Sequence, residues 1–269
     1  MQPFTLPADS TTLLDRAIFK LTGADAVRYL NGQCSQDVAL ATEQQAVYAS
    51  ISNFKGKMDG DCYIRRHQGD ILIDCPIELR ENLFMRLDRY IIADDAELTD
   101  VTDDFRVLHT IESSSTLEQS WTALRFGQTG VDTLVSKNET PSTTLTNEDL
   151  EKSRISHRIP AWGTELDNDT LPPEAGLEAR AISYTKGCYT GQEVISRIRS
   201  AGKTNRHLVL LELDESSSIG APLLCEGSTA EKPAGTITSL CEIDGKQIAL
   251  AYRKRKFQDV TQFTNAKVL

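Results

Sequence analysis

The sequence has no long apolar run and no closely paired cysteines. Nothing in it approaches the roughly 18 consecutive apolar residues that a membrane helix requires, so we expect no contact with a membrane. The six cysteines form no Cys-x-x-Cys pair, which excludes a zinc ribbon and a self-contained dithiol motif. Residues 1–10 lack the basic and apolar regions of a secretory signal peptide. We therefore expect a cytoplasmic protein whose cysteines are mainly buried, reduced thiols.

Basic charge is also scarce. The 269 residues include 29 lysines and arginines against 39 aspartates and glutamates, a net charge of −10. A chain this acidic does not coat nucleic acid through charge alone, so we expect no strong direct nucleic-acid binding. The basic run at residues 253–256 is interpreted as a solvated strand or hairpin end, with contact to RNA or a partner as the alternative. The hydrophobic content of 39% is typical of a folded protein of two or three packed units.

Common catalytic and ligand-binding motifs are missing as well. Gly202-Lys203-Thr204 resembles the end of a phosphate-binding loop, but Arg197 stands where that loop needs its first glycine. The sequence contains no G-x-S-x-G, H-E-x-x-H or G-x-G-x-x-G motif, and its four histidines are dispersed without ligand spacing. We therefore predict no metal site.

Strand and helix patterns alternate in the first hundred residues. Strands are predicted at 18–21, 46–52, 61–65 and 70–75, and a helix at 78–92. Thr22 and Asp25 have capping-box spacing, which predicts the start of a short helix. The turn-rich residues 53–60 predict a hairpin between two of the strands. This order of elements predicts an α+β unit with a mostly antiparallel sheet.

The second half begins with two polar stretches, at 112–120 and 136–149, and the second is predicted to be a mobile surface loop. From His207 onward the pattern changes to short strands. Asp244-Gly245 lies between two of them and predicts a two-residue hairpin turn. We expect these short strands to form a small antiparallel β-barrel or sandwich.

The most informative segment is KGCYTGQE at residues 186–193. Thr190 and Glu193 have capping-box spacing, which predicts a helix that starts directly after Cys188. A helix N-terminus together with the nearby Lys186 would lower the pKa of the thiol and make its thiolate available. The alternative is that the glycines, Cys188 and the tyrosine merely pack a tight turn.

This octapeptide, with the following Arg197, resembles the signature of the YgfZ family, folate-binding proteins related in fold to the T-protein (aminomethyltransferase) of the glycine cleavage system. The resemblance extends to LTGADAVRYLNGQCSQDV at 21–38, to the FKGKM hairpin at 54–58 and to LPPE at 171–174. It covers nearly the whole chain, and residues 112–149 are the least recognisable part.

The resemblance implies an α+β fold in which interlocked units surround a central funnel, with a C-terminal antiparallel β-barrel. The units are placed at 1–108, 109–205 and 206–269. It also implies that tetrahydrofolate, or a one-carbon derivative of it, binds in the funnel. The role of the family is support of iron–sulfur enzymes, including those that thiolate and methylate tRNA, so the implied partners are folate and iron–sulfur enzymes or assembly proteins.

The resemblance also assigns candidate site residues. Cys188 is the key thiol, and its motif neighbours give it support. These neighbours are Lys186, Gly187, Tyr189, Gly191, Gln192, Glu193 and Arg197. The candidate folate-binding residues are Lys57, Asp61, Arg154 and Trp162.

Two positions depart from the family pattern. Aminomethyltransferases carry two adjacent aspartates after the hairpin, but here the first position is Gly60 and only Asp61 remains, unless Asp59 takes its place. The missing carboxylate argues against aminomethyl transfer. Ser156 stands where folate-binding relatives usually have a glutamate that can hold the amino-pyrimidine edge of a pterin.

Three hypotheses follow from these observations. The first is a folate-binding factor that uses Cys188 to maintain iron–sulfur enzymes, with Arg154 or Arg158 contacting the glutamate tail of folate. For both arginines the alternative is a surface ion pair in a charged helix. The second hypothesis is a folate-dependent aminomethyl or methyl transferase. The third is an interaction module that no longer binds folate.

Overall fold

The computed structural model describes residues 1–113, 119–214 and 217–269. The strands in this part of the chain are β1 (Thr11–Leu14), β2 (Arg16–Thr22), β3 (Val47–Ser52), β4 (Met58–His67), β5 (Asp70–Pro76), β6 (Glu97–Asp100), β7 (Phe105–Ile111), β8 (Ser120–Arg125), β9 (Gln128–Ser136), β10 (Arg206–Leu213), β11 (Pro222–Leu223), β12 (Gly235–Ile243), β13 (Lys246–Lys254) and β14 (Ala266–Val268). The α-helices are α1 (Ala26–Gln33), α2 (Arg80–Asp88), α3 (Asn147–Ser156), α4 (Glu178–Ala181) and α5 (Gln192–Ala201).

The first sheet has five antiparallel strands in the order β3-β4-β5-β2-β6. Alternate side chains of its strands point to opposite faces. One face is apolar and packs against α1 and α2, with Phe19, Ile64 and Ile73 fully buried in that core. The predicted strands at 18–21, 46–52, 61–65 and 70–75 and the hairpin between β3 and β4 are confirmed.

The second sheet has four strands in the order β1-β7-β9-β8. It packs on the other face of the first sheet through a shared core in which Ile18 and Leu72 meet Val107 and Trp121. Because β1 pairs with β7, a strand from the start of the chain completes a sheet built mainly from later residues. The two α+β units are therefore interlocked, while the unit boundaries at 108 and 205 stay a prediction.

The third sheet has five strands in the order β11-β12-β13-β10-β14 and curls around an apolar interior. Asp244 and Gly245 connect β12 to β13 with positive φ values of 51° and 73°, which confirms the predicted hairpin turn. Helix α3 covers the outer face of this sheet and buries Ile155 against it. All strand pairs in this sheet are antiparallel.

Several local predictions differ from the structure. Thr22 and Asp25 do not form a capping box, because the Asp25 carboxylate accepts the backbone N–H of Asp95 and pairs with Arg28 instead. The helix predicted at 78–92 is shorter and covers Arg80–Asp88.

The two polar stretches have different outcomes. Most of 112–120 lies outside the described residues. The region 136–149 contains the start of α3, where Thr146 and Asp149 form a capping box. Its preceding residues are hydrogen-bonded to β1 through Thr11, and the mobility of this loop stays a prediction.

Candidate functional site

The cysteine motif is anchored against the turn between β3 and β4. Gly191 has a φ of 87°, and a Cβ there would lie 2.7 Å from the backbone oxygen of Asn53. Gly56, in the turn, has a φ of 73°, and a Cβ there would lie 2.9 Å from Cβ of Val194. These two glycines let the turn approach the start of α5 closely. The FKGKM and KGCYTGQE segments, far apart in sequence, therefore form one structural unit.

Cys188 is the exposed cysteine of this chain. Cys34, Cys62, Cys75 and Cys241 are buried and Cys225 is half-buried, which confirms that most of the thiols are buried. Cys188 lies three residues before the N-cap of α5. That N-cap is Gly191 without a side-chain cap. The predicted capping box of Thr190 and Glu193 is thus wrong.

Thr190 and Glu193 make other contacts instead of a capping box. The backbone N–H of Thr190 donates to the Gly32 carbonyl over 3.1 Å. Glu193 pairs on the surface with Arg197 over 2.6 Å. Gly187 is exposed, and Gln192 is half-buried at the first turn of α5.

Lys186 ties the motif to the end of α1. Its Nζ donates to the backbone carbonyls of Asn31, Cys34 and Gln36 over 2.6, 2.8 and 2.9 Å. Burial lowers the pKa of this ammonium group. Three bonds use all the donors of an ammonium, so this group is committed to carbonyls at and just beyond the C-terminal end of α1. Tyr189 beside it is buried, with its ring centroid 5.1 Å from Lys186 Nζ.

A cavity of about 240 Å³ lies between the first two sheets and the segment that follows α3. Asp61, Arg154 and Trp162, three of the four predicted folate-binding residues, line it, whereas Lys57 does not and pairs with Asp169 on the surface. The further lining residues are Leu14, Asp15, Arg16, Tyr48, Tyr63, Pro76, Glu78, Arg125, Phe126, Ile159, Pro160, Ala161 and Arg180.

Asp61 is the buried carboxylate of this cavity. Only 7% of its surface is exposed, and its Oδ1 has no hydrogen-bond partner among the described residues. Burial raises the pKa of Asp61, although Arg16, Tyr48 and Arg125 oppose this shift. Position 60 faces the opposite side of β4, because a Cβ on Gly60 would lie 3.0 Å from a methyl group of Leu79.

Asp59 does not replace the missing aspartate in the cavity. Its Oδ2 accepts from Arg86 Nε over 3.0 Å, and it does not line the cavity. The alternative alignment that uses Asp59 therefore places a carboxylate in an ion pair with α2.

A buried ionic network forms the wall behind Asp61. Asp132 Oδ2 accepts from Arg125 over 2.8 Å and lies 3.3 Å from Arg65 Nη2. Asp74 pairs with Arg16 over 2.6 Å, with Arg125 over 3.0 Å and with Arg65. Burial alone would raise the pKa of Asp132, but the neighbouring Arg125, His109 and Arg65 hold it well below its usual range. The first two sheets are thus joined by charge as well as by apolar contact.

The two arginines considered for the glutamate tail are engaged elsewhere. Arg154 is buried and pairs with Glu165 over 3.1 Å and with Glu151 over 2.6 Å. Its interpretation as a surface ion pair is therefore wrong. Arg158 donates to the Leu269 carbonyl over 2.5 Å and does not line the cavity.

Ser156 is likewise turned away from the cavity. Its Oγ accepts the backbone N–H of Phe4 over 2.9 Å and donates to the Ser153 carbonyl over 3.0 Å. Position 156, for which the resemblance predicts a glutamate, is therefore a packing position in this chain.

Arg180, which sequence reasoning missed, lies at the edge of the cavity. It also lines a second cavity of about 330 Å³, and the two cavities share Tyr48 and Tyr63. The Arg180 guanidinium lies 5.0 Å from the centroid of the Tyr48 ring, and its Nε has no hydrogen-bond partner among the described residues. It is therefore a cation with an unused donor next to two aromatic rings.

Comparison with known proteins supports the resemblance. The tRNA-modifying protein YgfZ of Escherichia fergusonii is 26% identical over 288 residues, which cover 91% of this chain and 85% of the relative. The YgfZ protein of Shigella boydii serotype 4 matches with the same identity and coverage. The chain is a homologue of these YgfZ proteins. No family model matches it.

The fold of this YgfZ homologue is that of the T-protein. The crystal structure of glycine cleavage system aminomethyltransferase T from Bartonella henselae superposes with a TM-score of 0.74 and covers 93% of this chain and 80% of that one. The sequence identity is 14%, so the comparison concerns the fold. The predicted T-protein-like α+β class is confirmed.

Within residues 1–113, 119–214 and 217–269, no three His, Cys, Asp or Glu side chains come together as a possible metal site. In the same ranges no helix is long and apolar enough to cross a membrane.

Proposed function

We propose that this protein binds tetrahydrofolate, or a one-carbon derivative of it, in the cavity around Asp61, and that it supports iron–sulfur enzymes and thereby tRNA modification through Cys188. The observation that carries the proposal is the combination of a T-protein-like fold, a cavity between its first two sheets and an exposed thiol outside that cavity. The partners are folate and iron–sulfur enzymes or assembly proteins, and the place of action is the cytoplasm.

The cavity fits the parts of a folate. Tyr48, Tyr63 and Trp162 give it aromatic walls, which suit a flat pterin ring. Arg180 brings a guanidinium to the edge of the cavity, and a guanidinium attracts carboxylates, so Arg180 is our candidate for the glutamate tail. This assignment replaces Arg154, which is paired with two glutamates, and Arg158, which does not line the cavity.

The thiol is separate from the proposed folate site. Cys188 does not line the cavity, and its motif contacts Gly56 in the turn before β4, whereas Asp61 lies on β4 itself. This separation favours a thiol that acts on a partner over one that attacks a carbon unit carried by folate. An iron–sulfur cluster usually takes four ligands, so Cys188 would hold one only together with thiols from a partner.

The aspartate positions support binding rather than aminomethyl transfer. A carboxylate at position 60 would face Leu79 and Leu83 instead of the cavity. Asp61 alone presents a carboxylate from β4 to the cavity.

The first test separates folate binding from the action of the thiol. In cells that lack the protein, Cys188→Ser is expected to abolish rescue of an iron–sulfur-dependent tRNA thiolation or methylation. The purified variant should bind 5-formyltetrahydrofolate within about twofold of the wild type in anaerobic calorimetry, because the thiol lies outside the cavity.

Cys225→Ser is the matched control, since this half-buried thiol lies in the third sheet region and should rescue normally. Normal rescue by Cys188→Ser would contradict the role of the thiol. Absence of folate binding in the wild type would contradict the role of the cavity.

A further inference from the structure

We infer that a basic surface at one end of the third sheet binds the phosphate backbone of RNA. This basic patch consists of the exposed residues Lys203, Lys254, Arg255 and Lys256. The patch itself follows from the geometry and charge of the chain, and the choice of RNA over DNA rests on the proposed function, with its role in tRNA modification. Binding of RNA at the patch requires neither folate nor Cys188.

The fold brings two separate basic segments together at this place. Arg206 lies opposite Lys254 in the ladder between β10 and β13. The backbone N–H of Arg255 donates to the carbonyl of Asn205 over 2.8 Å. Lys203 lies two residues before Asn205, in the turn that follows α5. The turn after α5 and the basic run at the end of β13, far apart in sequence, therefore form one surface.

The positive charge of the basic patch is not neutralised by ion pairs. Among the described residues, no carboxylate pairs with any of its four side chains. The opposite end of the same sheet differs, because Lys246 and Lys267 both pair with Glu212, over 3.2 and 3.0 Å. Strand β13 thus begins at a paired lysine and ends at the unpaired Lys254. In a chain of net charge −10, adjacent unpaired cations create a local positive potential.

Three acidic side chains near the basic patch have other partners. Glu165 and Asp167 line a cavity of about 280 Å³ beside it. Glu165 is buried in its ion pair with Arg154, and Asp167 accepts hydrogen bonds from its own loop. Burial lowers the pKa of Arg253, and the neighbouring Asp259 opposes this shift. These acids therefore leave the charge of the patch available to an anionic partner.

The composition of the basic patch fits RNA better than it fits a protein partner. Protein interfaces are centred on aromatic or other apolar anchors and are depleted in lysine. The patch contains three lysines and one arginine, and none of the large exposed apolar side chains of the described residues belongs to 199–207 or 253–258. Contact with phosphate oxygens needs only cations and other hydrogen-bond donors. The patch therefore suits a backbone of regularly spaced negative charges, whose bases it does not read.

The acidic remainder of the chain limits the strength of this contact. It repels the same backbone that the patch attracts, so binding is weak and sensitive to salt, in line with the expectation of no strong direct nucleic-acid binding. Each phosphate contact contributes about −0.7 to −0.9 to the slope of log K against log salt concentration. The four cations therefore predict a slope of roughly −3, and a dissociation constant in the micromolar range at about 50 mM potassium chloride.

The test follows the fluorescence anisotropy of labelled, unfractionated tRNA at a series of potassium chloride concentrations. The double variant Lys254→Gln, Lys256→Gln should bind at least about tenfold more weakly at about 50 mM salt, and its slope should be smaller by about 1.5, because two phosphate contacts are lost. The matched control is Lys246→Gln, Lys267→Gln, which removes the same charge at the other end of the same sheet. The control should bind within about twofold of the wild type. Thermal unfolding confirms that both double variants are folded.

Absence of tRNA binding by the wild type at about 50 mM salt would overturn the inference. An equal loss of affinity in both double variants would overturn it as well, since net charge and not the patch would then govern binding. If poly-L-glutamate, at the same concentration of charge, displaced the labelled tRNA as well as unlabelled tRNA does, the patch would be a site for acidic protein surfaces. A DNA duplex bound at least about tenfold more tightly than tRNA would overturn the choice of RNA.

These outcomes are distinct from a failure of the proposed function. Both double variants should bind 5-formyltetrahydrofolate as the wild type does, because neither pair of lysines lines the cavity around Asp61. A wild type that binds folate but not tRNA would remove the inference and leave the folate site in place. A wild type that binds tRNA but not folate would contradict the proposed function and leave the basic patch in place.

Discussion

The ammonium group of Lys186 occupies the carbonyl end of α1, although the sequence motif suggests that it serves the neighbouring thiol. Three backbone carbonyls accept from it. Lysine side chains commonly close helix ends in this way, since the last carbonyls of a helix have no partner within it. At the residue scale, Lys186 therefore stabilises the fold by holding the motif against the end of α1.

We expect Lys186→Met to lower the free energy of unfolding by about 2–3 kcal/mol, because it leaves half-buried carbonyls without a charged donor. Urea denaturation at pH 7 measures this change. Arg197→Met is the matched control in the same motif. It removes only an exposed pair with Glu193, so its effect should stay within about 0.5 kcal/mol. An equal loss of unfolding free energy in both variants would contradict this structural role of Lys186.

The site could be predicted only in part from single residues. Cys188 and its motif were found from local spacing, and Asp61 from alignment to the hairpin glycines. Arg16, Arg125 and Arg180 were missed, because they lie on β2, β8 and α4 and no spacing in the sequence relates them. Arg16 and Arg125 are joined by strand alternation within two stacked sheets, and Arg180 by the packing of α4 beside them. Both become visible only when the pairing and packing of the elements are known.

At the scale of elements, α5 begins and ends with a glycine in the left-handed conformation. Gly191 has a φ of 87° and Gly202 a φ of 63°. A Cβ on Gly202 would meet nothing within 4 Å, whereas one on Gly191 would meet the Asn53 carbonyl oxygen at 2.7 Å. An alanine at Gly202 would therefore introduce backbone strain alone, whereas an alanine at Gly191 would introduce backbone strain and a steric clash.

Gly202→Ala should lower the free energy of unfolding by about 1 kcal/mol, the cost of a left-handed non-glycine residue. Gly191→Ala should lower it by about 3 kcal/mol, because the clash with the hairpin turn is added. The rate at which Cys188 reacts with an aromatic disulfide should rise in Gly191→Ala alone, as the turn moves away from the motif. A similar change in stability and thiol reactivity in both variants would contradict the docking of the turn on α5.

Element ends were the least predictable part of the fold. The Asp244-Gly245 turn was correct, because its positive φ values depend on two adjacent residues alone. The capping boxes at Thr22 and Thr190 were wrong, because other groups compete for the same atoms: distant Asp95 and nearby Arg28 bind the Asp25 carboxylate, and Arg197, one turn along α5, binds that of Glu193. Capping spacing is a weak signal that both local and tertiary partners can override.

At the scale of the whole molecule, the first two sheets are held together by an apolar core next to a buried ionic network. Phe19 on β2 and Ile64 on β4 face the helices, while Tyr63 and Arg65 on the opposite face of β4 meet the second sheet. The alternation of residue types predicted the strands, but the pairing of β1 with β7 could not be predicted, since it joins segments about 95 residues apart. The resemblance to a known family supplied this part of the fold.

The ionic network makes stability depend on pH through Asp132. This carboxylate is fully buried, and its pKa is held well below the ordinary value near 3.8 despite the opposing effect of burial. A carboxyl group whose pKa is lower in the folded state than in the unfolded state stabilises the fold at pH values above its unfolded-state pKa. This stabilisation is lost as the pH falls through its folded-state pKa. The wild type should therefore lose stability steeply below about pH 5, over the range in which the unfolded chain takes up protons and the folded one does not.

Asp132→Asn should lower the free energy of unfolding by about 3–5 kcal/mol at pH 7, since it leaves Arg125 and Arg65 buried with one carboxylate too few. Its stability should then vary less between pH 5 and pH 3 than that of the wild type, because the group that titrates is gone. Urea denaturation at a series of pH values measures both effects. Asp103→Asn is the control, because this exposed carboxylate pairs with Arg80 on the surface, and its loss should change stability far less. If Asp132→Asn followed the wild-type pH profile with only a constant offset, the acid sensitivity would have to arise from groups other than Asp132.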